Sequence, residues 1–538
     1  MTALWDAGTA DAIGATWLLA AIAPVGAFGR RARAAERPLR PGDESVARAA
    51  IERVAAIAAS TSDTEIGAIR EAIAHAPDLR PLFARAGAHA TLDDVDLFEL
   101  GRLLDAFAQL AVYADSFGSE AIADLRAALA PGRTAARGFY LGDDFDETLA
   151  RERGRAAAAQ TAFDAARSRL TERVATFAGI EHVRDGEFVL MRDAIARPLP
   201  PEIRVVREAP TFLLCEIALD DVALDALADR DAAVACVAAA EDAVRARLTA
   251  GVARAVPALA RACDALGELD LLVARARFAR TYACVVPEIA TDGGYALAMA
   301  RDEPLREALA RHGRTYAPIS FDLAAFGVVT GPNMGGKTAA LRTLGFVAAC
   351  VALGVPVPAA CARVVLVDEI AWLGIGAGCA ADDGLLSSFG REVVSLRAFL
   401  ARPPRRALAL VDEFARTTSP REGRALLVAL LERLRDRGAL GLAATHLADI
   451  ARDAGVAHYA VGGVRADARG FADDLEAPLD LDAALARIAR AMDYRIARVD
   501  EDAVPAADAL ELARALGLDA PLVARARAAL ERARTPRA

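Results

Sequence analysis

The stretch FGVVTGPNMGGKTAALRTLGF, residues 326–346, decides the fold. A short apolar run, a glycine-rich turn and an apolar run of helical spacing follow one another, which is the order of strand, loop and helix in a phosphate-binding loop. Within it GPNMGGKT, 331–338, fits G-x-x-x-x-G-K-[ST]. Gly331, Gly335 and Gly336 let the backbone turn its N–H groups toward phosphate oxygens at a helix N-terminus. Lys337 then reaches the β- and γ-phosphates and the Thr338 hydroxyl ligates Mg²⁺, so ATP and Mg²⁺ are the expected ligands. Lys337 is also the only lysine in the sequence: of 64 Lys plus Arg, one is lysine and 63 are arginine. A guanidinium is a wide planar fork, whereas an ammonium is a compact charge that can thread between phosphates, so this is the position least able to exchange lysine for arginine.

A nucleotide hydrolase also needs an apolar strand ending in acid, with Asp for Mg²⁺ and Glu to polarise the attacking water. The sequence offers this twice, as VVLVDEI (364–370) and as LALVDEF (408–414). After the second come a polar turn, the helical stretch RALLVALLERLRDRG and a further strand, ALGLAATH. His446 closes that strand, where a γ-phosphate sensor would stand. This context favours Asp412 and Glu413 over Asp368 and Glu369. Between the two acidic strands lies DDGLLSSFGRE (382–392), which on its own reads as a polar loop.

Outward from this core, alternating strands and helices from about 316 to 465 predict a parallel sheet with covering helices. Residues 1 to about 140 read as helices joined by turns. A helix from Asp146 to about Gly179, a small sheet over 182–217 and helical stretches at 218–255 and 262–283 read as an arm with a cap. The last seventy residues read as alanine-rich helix. At 538 residues, 55% hydrophobic, the chain has ample material for several cores. The net charge of −10 gives no support to a general polyanion binder. Seven cysteines without a CxxC pair signal neither a disulfide framework nor a zinc site, and fit a reducing cytoplasm. The longest apolar run, 344–367, is broken by Gly354, Pro356 and Pro358, so it reads as helix, turn and strand rather than a membrane span.

These motifs together resemble the MutS family of DNA mismatch-repair ATPases. The family's loop signature, TGPNMGGK followed by Ser or Thr, stands without departure at Thr330–Thr338, which brings Pro332, Asn333 and Met334 into the nucleotide site. SSFGRE (387–392) resembles the segment through which one subunit touches the other's nucleotide, implying that role for Ser387, Ser388 and Phe389, with Glu392 matching as well. DEFARTTS (412–419) resembles D-E-I-G-R-G-T-S, except that Ala415 and Thr417 replace glycines, so the turn is expected to differ. ATH (444–446) matches the sensor segment, and the resemblance settles the choice of acidic strand on Asp412. Tyr316 is a looser match for the aromatic that stacks on adenine.

The resemblance implies a multidomain fold, mostly α plus α/β: a helical lever-like core (1–145), a clamp-like arm (146–260) with a small β tip (181–216), a helical return (261–305), an ABC-type P-loop ATPase domain with a mainly parallel sheet (306–470) and a C-terminal helical dimerisation region (471–538). No counterpart of the family's mismatch-reading and connector domains is found within these residues; Phe145-Asp146-Glu147 looks like its wedge but opens the arm helix. Implied partners are a second copy of the chain and mismatched or branched DNA, in the cytoplasm. The tip tempers the DNA role, since its five arginines (184, 192, 197, 204, 207) face seven acids. The alternative is a protein-remodelling ATPase, because MutS-like proteins lacking the mismatch domain include reactivating factors for cobalamin-dependent aminomutases.

Overall fold

The computed structural model describes residues 4–133, 138–180, 183, 186–195, 197–374, 387–402, 405–468, 471, 480–499 and 509–534. The chain divides into two compact units, Ala72–Leu266 and a second built from Met1–Glu71 with Gly267–Ala538. The boundary at residue 71 falls inside the N-terminal helices that the sequence presents as one series.

In the unit Ala72–Leu266, the helix Asp94–Gln109 buries Leu97, Leu100, Leu104 and Phe107, and the Phe107 ring stacks on Phe117 at 5.3 Å. Its start is fixed by a capping box between Asp93 and Asp96. The helix Glu147–Ala178 begins at Asp146, whose side chain accepts from the Thr148 N–H, and ends at Gly179 in the left-handed region. Three antiparallel strands follow, β1 (Glu187–Met191), β2 (Ile203–Glu208) and β3 (Phe212–Ile217), in the order β1-β3-β2. One face of this sheet buries Phe188, Leu190, Leu213 and Cys215 against Leu170 and Val174 of the preceding helix.

The sequence divides the next helical region near Pro257, but the structure holds one helix from Asp221 to Thr281. Proline removes an internal hydrogen bond and normally ends a helix. Here Val252, Ala255, Ala258, Leu259 and Ala262 are buried on both sides of Pro257, and packing outweighs the local penalty.

The other unit contains two sheets. The smaller comprises β4 (Glu288–Ala290), β5 (Tyr295–Ala300), β6 (Ile319–Leu323) and β8 (Cys361–Val365), in the order β4-β8-β5-β6. The larger has six strands: β7 (Phe326–Thr330), β9 (Glu369–Gly374), β10 (Ala407–Asp412), β11 (Leu440–Thr445), β12 (Ala457–Val464) and β13 (Met492–Arg498). Their order is β13-β12-β7-β11-β10-β9, parallel throughout except for the antiparallel β12–β13 pair. The helix Lys337–Ala352 is buried against one face and the helix Pro420–Asp436 covers the other with Leu427, Leu430, Leu431 and Leu434. N-terminal residues join this core: Ile13, Leu18 and Ile22 pack into it, and the Leu4 carbonyl accepts from the Ile370 N–H along β9. β13 lies in a stretch that the sequence presents as helix. Its alternation of Met492, Tyr494 and Ile496 with polar residues suits an edge strand, a signal masked by the alanine-rich segments around it. Among the described residues no helix is long and apolar enough to cross a membrane.

Candidate active site at the ends of three parallel strands

Strand register brings the candidate residues to one end of the larger sheet. Thr330, the last residue of β7, lies opposite Thr445, the last of β11, and Asp412, the last of β10, lies opposite Ala444. The loop 331–336 leaves β7 at that level, Glu413 follows β10, and exposed His446 follows β11. The carboxyl ends of parallel strands where the strand order reverses are the usual ligand crevice of such sheets. The same register sets the first acidic pair apart from the loop. Glu369 is level with Ala407 at the start of β10, five residues from Asp412, or about 16 Å along the strand. Asp368 and Glu369 are not loose surface acids either: Asp368 accepts from the Arg406 N–H at 3.2 Å, and Glu369 pairs with Arg402.

The loop turns through Gly331 (φ 147°), Met334 (φ 62°) and Gly336 (φ 96°). Space is tight at these glycines as well, since a Cβ at Gly331 would stand 3.1 Å from Val461 Cβ and one at Gly336 would stand 3.3 Å from the Tyr494 ring. Asn333 and Met334 are exposed, while Gly331, Pro332 and Gly335 are buried. Lys337 Nζ is folded back under the loop, donating to the Gly331 and Pro332 carbonyls at 2.9 Å each. The Thr338 hydroxyl donates to both oxygens of Asp412 at 3.2 Å. Gly374 of β9 permits the close approach beside Asp412, for a Cβ there would stand 2.1 Å from the Asp412 carbonyl oxygen.

Burial dominates the electrostatics. It lowers the pKa of Lys337 despite the opposing attraction of Glu413 and Asp412. It raises that of Asp412 from 3.8 to about 6, with Glu413 adding to the rise and Thr338 and Lys337 opposing it. Both groups therefore hold their charge at a cost, and a ligand that brings phosphate to the lysine and a cation to the aspartate relieves both. The residues fit an Mg²⁺–nucleotide pair: Thr338 and Asp412 converge as hydroxyl and carboxylate oxygen donors, and the loop presents N–H groups at a helix N-terminus. Among the described residues no group of three His, Cys, Asp or Glu side chains forms a metal cage, so a cation here would rely on phosphate oxygens for much of its shell.

In the turn after β10, Ala415, at one of the two replaced glycines, takes the left-handed conformation that glycine favours, whereas Thr417 at the other does not. Glu413 and Ala415 both have positive φ, 45° and 60°. The Glu413 N–H donates to Ala444 O at 3.0 Å and its carboxylate accepts from Arg416 at 2.7 Å. The Ala415 N–H donates to the buried Glu392 carboxylate at 2.8 Å. Thus SSFGRE, the start of the helix Ser388–Leu400, is tied to the acidic turn: Glu392 holds Ala415, and Ser388 Oγ donates to Thr417 Oγ1 at 3.3 Å. Ser387 caps that helix, and Phe389 packs at the margin of the core beneath it. Residues 382–386 of the polar stretch lie outside the described residues.

Tyr316 is placed differently from the other candidates. It is buried, and its hydroxyl meets Thr343 Oγ1 at 2.9 Å and the Asp302 N–H at 3.1 Å, beneath the helix rather than at the loop's mouth. Three residues that the motifs leave unmarked reach the site. Tyr494 lies against Gly336, His458 Nε2 is 2.8 Å from the Thr330 hydroxyl, and Arg416 holds Glu413. Tyr494 and His458 come from strands far along the chain, and no local spacing signals them.

With this geometry in view, comparison with known proteins is specific. The family description MutS domain V matches residues 327–530. The chain is 32% identical over 213 residues to Endonuclease MutS2 of Agathobacter rectalis, covering 38% of this chain and 26% of that protein. It is 35% identical over 213 residues to Endonuclease MutS2 of Thermomicrobium roseum, with the same coverage. It is 35% identical over 215 residues to the DNA mismatch repair protein MutS of Azorhizobium caulinodans, covering 38% of this chain and 23% of that one. The matched segment thus spans about a quarter of the length of these curated relatives.

Proposed function

Because the chain belongs to the MutS family through residues 327–530, we propose that it binds Mg²⁺–ATP at the 331–338 loop and hydrolyses it to ADP and phosphate, in a DNA-associated role. The observation that carries this reading is the convergence of Lys337, Thr338, Asp412 and Glu413 at one end of the larger sheet. Lys337 exchanges its two loop carbonyl partners for β- and γ-phosphate oxygens, and the loop N–H groups cradle the rest. Thr338 and Asp412 would hold the cation, which would neutralise charge on the phosphates. Glu413 orients water and takes its proton, the water oxygen bonds to the γ-phosphorus, and the bond to the ADP oxygen breaks. Arg416 holds one carboxylate oxygen of Glu413 and leaves the other for water. His446 senses the γ-phosphate. Tyr494, beside the loop, is better placed than Tyr316 to stack on the base.

The tie from Glu392 and Ser388 to the acidic turn supports a homodimer in which Ser387, Ser388 and Phe389 reach the neighbour's nucleotide, because a contact there would bear on Glu413 through Ala415. ATP-driven motion of the arm around mismatched or branched DNA, in the cytoplasm, completes this first reading. One observation favours a second. Two of the tip's arginines are engaged, Arg192 with Glu208 and Arg204 with Glu216, while Val189, Met191 and Val206 are about half exposed. An apolar surface with two of its cations already paired suits a protein partner better than phosphates, as in a remodelling ATPase acting on a cobalamin-dependent aminomutase. ATPase rates measured with duplex, mismatched and four-way DNA at fixed ionic strength separate the two. Stimulation by DNA supports the first reading. No response and no retention at low salt, with restored aminomutase turnover on adding ATP, supports the second.

A further inference from the structure

A cavity of about 640 Å³ opens between the helix Asp63–His75 and the last turns of the helix Asp221–Thr281, apart from the phosphate loop. Its lining carries three guanidiniums, Arg70, Arg277 and Arg280, against one carboxylate, Asp63. Arg280 is accounted for: it donates to Asp63 at 2.9 Å and to the Ala58 carbonyl at 2.7 Å, and a cation in the last turn offsets the negative end of a helix. Arg70 and Arg277 are not. Among the described residues neither forms an ion pair, and Arg70 Nη1 is buried with no hydrogen-bond partner. Burial lowers the pKa of Arg70, and the like charge of Arg277 lowers it further. Asp270 opposes that shift from nearby, but its carboxylate is spent elsewhere. It accepts the Val25 and Gly26 N–H groups at 3.1 and 2.7 Å, at the start of the helix Ala27–Ala35.

A cavity that crowds like charges and leaves a buried donor unmatched is complementary to an anion of more than one charge. We propose that it binds a small ligand through a phosphoryl group, with Arg70 and Arg277 as its principal donors and Arg280 at its side. A phosphoryl group brings about 1.5 to 2 negative charges and three acceptor oxygens on one compact centre, and guanidinium forks present paired N–H groups to such oxygens. The cavity volume falls within the range of about 300–1,000 Å³ usual for small-molecule sites. Ile66 gives the wall an apolar stretch against which a small organic body can rest.

The test uses the full chain carrying Lys337→Ala, so that phosphate binding at the loop does not contribute. Thermal unfolding is followed against inorganic pyrophosphate, glucose 6-phosphate, citrate and sodium chloride at matched ionic strength. Pyrophosphate or glucose 6-phosphate raises the Tm saturably, and citrate and chloride do not. The tighter of the two phosphates tells a free anion from a phosphorylated organic ligand. Adding Arg277→Gln weakens the Kd at least tenfold while leaving the ligand-free Tm unchanged or higher, because a like-charge contact is removed. Arg70→Lys, which keeps the charge and loses the fork, also weakens binding. An equal shift with citrate or chloride overturns the proposal, as does phosphate binding that survives both substitutions.

Discussion

At the phosphate loop, Lys337 and Asp412 are taken out of water by a helix and a strand that leave them little choice of position, and burial shifts the pKa of each against its charged form. On the β1-β3-β2 sheet, Arg192 and Arg204 lie at the surface, each beside a glutamate that has already answered its charge. The first region stores unsatisfied electrostatics that a particular ligand would relieve. The second has spent these two cations on weak exposed pairs and shows apolar side chains beside them. Charge count is thus a poor guide to a polyanion site, and the degree to which charges are already answered is a better one.

The sharpest way to break this comparison is Glu413→Gln. ATP remains bound while turnover falls by about 10²–10⁴-fold, the usual worth of a positioned general base. Unchanged turnover in single-turnover assays, with loss in Glu369→Gln, would return the function to the other acidic strand.

Next comes Asp412→Asn. The folded-state pKa is raised from 3.8 to about 6, so the folded protein binds this proton more tightly than the unfolded chain does. Ionised Asp412 therefore costs stability above about pH 6, a cost that disappears as pH falls below about 4. The asparagine variant without nucleotide should gain on the order of 2 kcal/mol near pH 8 and nothing near pH 4 in urea titrations. Because Mg²⁺ needs the ionised carboxylate, the affinity of the wild-type protein for Mg²⁺ should fall as pH drops through about 6. Equal stability of the two proteins near pH 8 would remove the contrast with the tip.

Ala415→Gly probes the strained turn. A left-handed alanine costs about 1–2 kcal/mol, and glycine's extra freedom when unfolded returns part of the gain. The net stabilisation should be about 0.5–1 kcal/mol in the same titrations. The smallest effect belongs to the tip. Arg192→Gln with Arg204→Gln should change stability by no more than about 1 kcal/mol per pair, and should leave the salt dependence of DNA retention unaltered. A fall of about one in the logarithmic salt slope per arginine would show that these cations meet phosphate after all.

Much of this was legible in order along the chain. The loop, the alternating strands and helices, and the helix opened by Asp146 and closed by Gly179 each announce themselves through local signals of spacing, glycine and capping residues. The failures were of two kinds. Pro257 within a continuous helix and β13 in an alanine-rich region are cases where packing overrode the local preference or hid it. Tyr494, His458 and the Glu392–Ala415 bond join segments tens of residues apart, where no spacing rule applies.

The sequence by itself determined that one lysine stands in a phosphate loop of a particular family's spelling, since eight adjacent residues set both the turn and its donors. The composition of the two acidic strands did not separate them, because VVLVDEI and LALVDEF carry the same chemistry, and it was the following segments and the family resemblance that favoured Asp412. Tertiary structure supplied the distance between them: parallel pairing puts Asp412 at the end of β10 beside the loop and Glu369 at the start of β9, at the far end of the sheet. Likewise only the fold buried Tyr316 and set Tyr494 against Gly336. The reason in each case is that an active site is closed by neighbours in space, and which strands become neighbours is settled by burying both faces of the sheet rather than by any short run of residues.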